Sequence, residues 1–194
     1  MKASRRVWIE RVLAVPFAGV SSLPLRAWAL PTPPACEADE PVTVPQMEGP
    51  FFKPRSPLRH SLRDAAIPGK PLVVTGRVLT RDCRPVPGAL LDFWHCDAGG
   101  EYDNVGFALR GHQFTDADGR YRLETIVPGQ YPGRVRHVHV KVQAANGPVL
   151  TTQLYFPGEP GNAKDFLFRP ELLMSRAPTA RGDEARFDFV VRTA

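Results

Sequence analysis

The sequence predicts an all-β fold, a β-sandwich of mixed or antiparallel strands joined by long loops. Its 21 prolines and 16 glycines are spread among short runs rich in Val, Leu and Phe, and this composition favours turns between strands over long helices. Short strands at this spacing, separated by turn signals, are typical of a sandwich. The strand-like runs are residues 72–80, 89–96, 120–126, 136–144, 149–156 and 185–191.

The first 29 residues predict an export signal. They contain five basic residues and one acid, an apolar stretch from Val12 to Leu25, and the small-x-small cleavage site at residues 27–29. Arg5 and Arg6 resemble a twin-arginine signal. The apolar run is shorter than the roughly 18 residues that span a membrane, so we expect no membrane anchor. The alternative is a first helix of the fold, but we expect an exported, periplasmic or extracellular protein.

The remaining residues form a nearly neutral body. Of 25 basic and 20 acidic residues, five basic and one acidic lie in the first 29, which leaves a net charge of +1. A body of this charge lacks the clustered basic surface that binds nucleic acids. Residues 30–45 are rich in Pro, Thr and acids and predict an exposed linker, and residues 46–194 predict one domain.

Three cysteines follow the predicted cleavage site, namely Cys36, Cys83 and Cys96. An oxidising compartment would permit one disulfide with any of three pairings, and buried free thiols agree equally well with the sequence. The chain has no CxxC motif, so a structural zinc ribbon is not supported.

The run at residues 136–144 has one face for the core and one for chemistry. Side chains alternate along a strand. One face holds Val138, Val140 and Val142, and the other holds His137, His139, Lys141 and Gln143. A hairpin through residues 146–147 could bring Gln153 of the next run to the same side as the histidines.

Several side chains near this strand could bind a metal. His137 and His139 lie about 7 Å apart along the backbone and can converge on one ion. The alternative is that they are two exposed histidines that share a face by chance. Tyr102 lies in a loop after a predicted strand, and Tyr131 lies in the turn before the histidine strand. Turn tyrosines usually serve packing or hydrogen bonding. No HExxH motif is present, so protease-type zinc is not supported.

Seven motifs follow one another between Gln46 and Phe156. They are residues 48–52 (EGPFF), 86–89 (VPGA), 92–102 (DFWHCDAGGEY), 115–121 (TDADGRY), 126–131 (IVPGQY), 134–139 (RVRHVH) and 152–156 (TQLYF). In this order they resemble the intradiol ring-cleavage dioxygenases, the family of protocatechuate 3,4-dioxygenase and catechol 1,2-dioxygenase. Each motif alone is a weak signal, whereas the ordered set is specific.

The resemblance implies an oxidoreductase with one non-haem iron(III) per chain. Its partners would be a small aromatic diol and O2, and both oxygen atoms would enter a cis,cis-muconate-type diacid. Two tyrosine phenolates among the ligands would favour iron in the trivalent state. Homo-oligomer formation is left open. By position, the implied ligands are Tyr102, Tyr131, His137 and His139, and the implied catalytic residues are Tyr131, Arg134 and Gln153.

Two further histidines and one further arginine are not assigned to this set. The resemblance leaves His95 and His112 outside the ligand set, as a strand residue and a loop residue. Arg134 stands three residues before His137, where the family places its substrate-facing arginine, but Arg136 is a nearby competitor.

A metal-free binding module is the alternative function. Residues 75–78, 87–89 and 115–119 also resemble carboxypeptidase-regulatory and transthyretin-like domains. That pattern explains the scaffold but not two tyrosines and His-x-His in the order of the dioxygenase family. A hydrolase is not supported, because the chain has no GxSxG motif.

Overall fold

The computed structural model describes residues 39–194 as two β-sheets packed in a sandwich, which confirms the predicted fold class. Two short 3-10 helices cover Asn162–Lys164 and Pro170–Leu172. In this part of the chain no helix is long and apolar enough to cross a membrane. The strands are β1 (Pro71–Leu79), β2 (Leu90–Trp94), β3 (Arg110–Phe114), β4 (Arg120–Ile126), β5 (His137–Gln143), β6 (Leu150–Tyr155), β7 (Ser175–Thr179), β8 (Gly182–Arg186) and β9 (Phe189–Val190).

The two sheets have different strand directions. One sheet has the order β4-β1-β8-β7, with β9 also pairing with β1, and the other has the order β3-β2-β5-β6. Strand β1 is antiparallel to β4 and parallel to β8 and β9, so the first sheet is mixed. Every pair in the second sheet is antiparallel. This second sheet carries His137, His139 and Gln153, three of the residues predicted to do chemistry.

The core lies between the sheets and fixes the orientation of β5. Val138, Val140 and Val142 are all fully buried in the main hydrophobic cluster, together with Leu154 of the neighbouring β6. A slip of one residue in register would turn these valines out of the core and the histidines into it. Core packing therefore places His137 on the opposite face, as predicted.

The predicted strand at residues 185–191 is divided in the structure. Strand β8 ends at Arg186 and β9 begins at Phe189. At this corner the backbone comes so close to β1 that a Cβ atom on Gly76 would lie 1.7 Å from the carbonyl oxygen of Phe187. Only glycine fits beside such a bend.

Two further strands were not predicted. His112, expected in a loop, lies in strand β3. Its Nδ1 lies 2.7 Å from the backbone oxygen of Ser56. Strand β7 contains Pro178 and was also not predicted.

The described end of the predicted linker lies along the domain. The backbone N–H of Glu40 donates to Arg81 and that of Thr43 donates to Val190, both at 3.0 Å. These bonds pair residues 40–43 with the domain instead of leaving them extended in solvent. The predicted signal at residues 1–29 lies outside the described residues, and the domain boundaries stay predictions.

Of the two cysteines in residues 39–194, one is disulfide-bonded and the other is a free thiol. Cys83 is disulfide-bonded, and Cys96 is a buried free thiol. The two pairings that involve Cys96 are therefore excluded. Cys36 lies outside the described residues.

Candidate metal centre

The second sheet brings the histidine pair beside Gln153. His137 and His139 are each 2% exposed. In the antiparallel register, His139 lies opposite Gln153 on β6 and opposite Trp94 on β2, and His137 lies opposite Tyr155. Directly opposite residues project to the same face of a sheet. The predicted placement of Gln153 on the histidine side is therefore confirmed.

The two candidate tyrosines come from loops that touch each other. Tyr102 follows β2 and Tyr131 precedes β5, as predicted. The Gly129 N–H donates to the carbonyl of Asp97 at 2.7 Å. A Cβ atom on Gly129 would lie 2.5 Å from the Gly100 nitrogen, so this approach of the two loops requires glycine. The rings of Tyr102 and Tyr131 are consequently 5.9 Å apart at their centroids.

The four predicted ligand side chains converge on one point. The hydroxyl oxygen of Tyr131 lies 3.5 Å from Nε2 of His137, which in turn lies 3.1 Å from Nε2 of His139. The Tyr102 ring is 6.3 Å from the His139 ring, and its hydroxyl is buried without a well-formed hydrogen bond in residues 39–194. Such an unpartnered buried polar group needs an explanation. A metal ion at this point would provide one.

Burial keeps both imidazoles neutral. Nδ1 of His137 lies 2.7 Å from the carbonyl oxygen of Val135. A carbonyl can only accept, so Nδ1 carries the proton and Nε2 keeps a lone pair for a ligand. Burial first, and then the positive charge of Arg134, lowers the pKa of His137 to about 4. Burial and the neighbouring His137 hold the pKa of His139 well below its usual range.

The two phenols also lie in a low-dielectric environment. Burial raises the pKa of Tyr102, and the neighbouring Tyr131 adds to the rise. Burial also raises the pKa of Tyr131, although Arg134 opposes the shift. Without a cation these phenols are neutral at pH 7. A nearby multivalent cation inverts this balance and favours the phenolate form.

Aromatic side chains form the walls of the site. Trp94 stacks on His139 with ring centroids 4.8 Å apart and planes inclined by 6°. Phe51 stacks on Tyr102 at 4.2 Å and contacts the edge of Tyr131 at 6.2 Å. These contacts fix the ring orientations. Phe51 belongs to a motif seen in the sequence, but its packing role was not predicted.

The structure separates the two competing arginines. Nη1 of Arg134 lies 3.5 Å from the Tyr131 hydroxyl, and its Nη2 donates to Oε1 of Gln153. Arg136 instead forms an ion pair with Glu159 at 2.7 Å, away from this network. Arg134 is therefore the arginine of the site.

A cavity opens beside Tyr131 and Arg134. It has a volume of about 520 Å³, and Gln130, Lys164 and Asp165 also line it. Binding pockets for small molecules commonly have volumes of about 300–1,000 Å³. An aromatic ring of catechol size can therefore reach Tyr131 from solvent.

Some residues of the network were not predicted. The Tyr155 hydroxyl donates to Oε1 of Gln46 at 2.8 Å and lies 3.3 Å from Nη2 of Arg134. Its position two residues after Gln153 on one strand was a usable signal. Asp165 binds Nε of Arg134 at 2.9 Å but lies in a loop that shows no periodic pattern.

Other potential ligands are engaged elsewhere. His95 is buried, with Nδ1 2.7 Å from the Cys96 carbonyl oxygen and Nε2 2.6 Å from Oγ1 of Thr125. Within residues 39–194 no cluster of three or more His, Cys, Asp or Glu side chains is arranged to hold a metal ion. The candidate centre is built from two histidines and two tyrosines.

Comparisons with known proteins agree on one family. A family model described as Dioxygenase matches residues 47–193. The protocatechuate 3,4-dioxygenase beta chain of Burkholderia cepacia is 38% identical over 170 residues, with 70% of this chain and 72% of that protein covered. Catechol 1,2-dioxygenase 2 of Acinetobacter lwoffii is 31% identical over 148 residues, with 63% of this chain covered. This chain spans about half, 54%, of that second relative.

Solved structures show the same architecture. The dioxygenase domain of a dioxygenase carbohydrate-binding protein fusion from Streptomyces sp. SirexAA-E has a TM-score of 0.77 and 60% identity, with 79% of this chain and 100% of that one covered. Hydroxyquinol 1,2-dioxygenase from Pseudomonas putida DLL-E4 has a TM-score of 0.71 and 26% identity, with 80% and 68% covered. The sandwich described above is therefore the fold of these dioxygenases.

Proposed function

The chain belongs to the intradiol ring-cleavage dioxygenase family, and from this membership we propose that it is a non-haem iron(III) enzyme that opens a catechol-type ring. The related dioxygenases support ring-cleavage dioxygenase activity, an oxidoreductase reaction. The observation that carries the iron proposal is the convergence of two neutral imidazoles and two phenols at one buried point.

The donor set fits iron(III). In the proposed site Tyr102, Tyr131, His137 and His139 hold one ion per chain. Phenolates are hard anionic ligands and favour the trivalent state. When bound, the iron would supply the Lewis acidity that activates a catechol ring for reaction with O2.

The two tyrosines differ in exposure, which supports different roles. Tyr102 is 8% exposed and lies under the Phe51 ring. Tyr131 is half-buried and lines the cavity. In the proposed site Tyr102 would hold the iron permanently, and Tyr131 would be the ligand that gives way to substrate. Oη of Tyr131 would then accept one proton of the incoming diol.

Arg134 and Gln153 orient the substrate and stabilise negative charge on it. The guanidinium reaches from the cavity to the Gln153 amide oxygen, and the Gln153 amide nitrogen donates to the Met47 carbonyl at 3.1 Å. Both groups are fixed before substrate binds. Preorganised donors of this kind act where charge develops in the transition state.

The proposed substrates are a small aromatic diol and O2. Relatives carry names that specify protocatechuate, catechol, chlorocatechol or hydroxyquinol as their substrates. A catechol-type ring with adjacent hydroxyl groups is the feature these compounds share. The proposed product is a cis,cis-muconate-type diacid that contains both atoms of O2.

Iron content and colour test the proposal directly. We expect one iron per chain and a red-brown protein, because phenolate-to-iron(III) charge transfer absorbs visible light. The measurement is a visible spectrum of purified protein with an iron assay. A colourless protein that stays metal-free after incubation with ferric salt would contradict the proposal and favour the metal-free binding module.

Export is proposed from residues 1–29. A folded, metal-loaded domain needs a route that carries folded proteins, which gives the Arg5-Arg6 pair a rationale. We expect the mature protein to lack residues 1–29 and Arg5→Lys with Arg6→Lys to abolish export. Mass spectrometry of exported material that shows an intact Met1 would contradict cleavage, and unchanged export of the double variant would contradict the route.

A further inference from the structure

The Arg134 side chain is held on three sides. Its Nη1 faces the Tyr131 hydroxyl at 3.5 Å, and its Nη2 faces Gln153 and, at 3.3 Å, the Tyr155 hydroxyl. The Nε atom at the base of the fork lies 3.2 Å and 2.9 Å from the two carboxylate oxygens of Asp165. The ion pair at the base of the fork helps to set the direction of its two ends.

Asp165 is itself fixed by the backbone around it. Its side chain is 1% exposed. Oδ2 accepts the Val135 N–H at 3.0 Å, and Oδ1 accepts the Leu167 N–H at 2.9 Å. The backbone N–H of Asp165 donates to the carbonyl of Gly161 at 3.1 Å, at the end of the first 3-10 helix. The carboxylate therefore has a single position.

The same carboxylate connects the arginine to the ligand strand. Val135, whose N–H it accepts, lies two residues before His137 and accepts the Nδ1 hydrogen of that histidine through its carbonyl group. One buried anion thus ties the loop after β6 to the segment that carries Arg134. Burial alone would raise the pKa of Asp165, but hydrogen bonds from Val135, Leu167 and Arg134 outweigh it and lower that pKa.

We propose that Asp165 is a positioning residue that aims the Arg134 guanidinium at Tyr131 and Gln153. The inference rests on the proposed ring-cleavage function, in which Arg134 contacts substrate. Asp165 does not contact the substrate and acts on the reaction through the position of Arg134. Its removal should reduce the rate of the chemical step and leave the iron ligands in place.

The first variant is Asp165→Asn, which keeps the shape and removes the charge. Whichever way the new amide is oriented, its NH2 group faces two other hydrogen-bond donors. One donor is Nε of Arg134, and the other is the backbone N–H of Val135 or of Leu167. Arg134 then loses one of its two carboxylate contacts and the negative charge that holds its Nε. We expect kcat and kcat/KM to fall together by about 10–100-fold, with iron content and the visible spectrum of the resting protein unchanged.

Asp183→Asn is the matched control. Asp183 is also 1% exposed at its side chain and binds two cations, Lys70 at 2.7 Å and Arg176 through its other oxygen, but it lies on β8 in the other sheet. The same change there should lower stability without changing kcat. Asp165→Glu, which keeps the charge but shifts it by one methylene, should recover part of the activity lost in Asp165→Asn.

Crystal structures of the iron-loaded wild type and Asp165→Asn give a second readout that does not depend on turnover. We expect the Arg134 guanidinium to leave Gln153 in the variant while the four ligand side chains stay in place. A guanidinium that has not moved, or an Asp165→Asn protein with wild-type kcat, would overturn the inference. If Asp165→Asn does not fold, the crystal structure and kcat of Asp165→Glu decide the question together, since a guanidinium displaced from Gln153 with wild-type kcat would be equally contrary.

The two proposals fail in distinguishable ways. A wild-type protein without activity on any catechol would contradict the proposed function. The crystal structures would still decide whether Asp165 sets the position of Arg134. An active wild type with equal effects from Asp165→Asn and Asp183→Asn on kcat would contradict the positioning role alone.

Discussion

Replacing Arg134 with lysine should lower kcat/KM for a catechol by about 10²–10³-fold, the usual loss when one preorganised donor to a developing negative charge is removed. The planar fork of Arg134 serves Tyr131 and Gln153 at once, while its Nε pairs with Asp165. A lysine ammonium is a point charge that cannot reproduce this arrangement. The positive charge is retained, so Asp165 is not left as an unpaired buried anion.

Arg136→Lys provides the comparison for this prediction. It makes the same chemical change two residues away, at a side chain that is 35% exposed and pairs with Glu159. Partly exposed ion pairs contribute little to stability. Arg136 also lies away from the network of Arg134, so we expect near wild-type kcat/KM. The measurement is O2 uptake with a catechol, normalised to bound iron. Equal losses in the two variants would show that the choice between the arginines is wrong.

The sequence could predict the fold and the face of β5 that carries the candidate ligands, because those depend on short-range patterns. Alternation of valines with His137 and His139 sets the two faces of β5, and burial of the valines fixes the register. The Asn146-Gly147 turn then brings Gln153 opposite His139. Periodicity predicts the two faces and turn chemistry predicts the hairpin, whereas the register that pairs His139 with Gln153 was found only in the structure.

The sequence could not predict features that depend on contacts between distant loops. Strand β3 has no apolar alternation, because buried Arg110 and Gln113 occupy positions that usually hold apolar residues. The choice of Arg134 over Arg136 depends on Asp165 and Glu159, which lie more than 20 residues later in the chain. No local pattern identifies such partners. The anchoring of the arginine was therefore found only in the structure.

Replacing the two site tyrosines should separate a permanent ligand from one that leaves. Tyr102→Phe removes an anion from the buried side of the centre, so we expect weak iron retention and altered spectra both at rest and with substrate bound. Tyr131→Phe should alter mainly the resting spectrum. It should also slow substrate binding by about 10²–10⁴-fold, because a proton of the diol loses its acceptor. Phenylalanine keeps the ring volume, so neither change should greatly disturb packing.

Tyr121→Phe is the control for loss of a buried hydroxyl. Tyr121 lies on β4 in the other sheet, where its hydroxyl donates to the Phe187 carbonyl at 2.8 Å. That change should lower stability by about 0.5–1.5 kcal/mol, the net contribution of an ordinary hydrogen bond, and leave the colour unchanged. The measurement is anaerobic stopped-flow spectroscopy of all three variants with a catechol. The Tyr102 and Tyr131 variants must differ once substrate is bound, since only one of the two phenols is expected to remain a ligand then. Identical spectra of their substrate complexes would contradict the division of roles even if both residues bind iron.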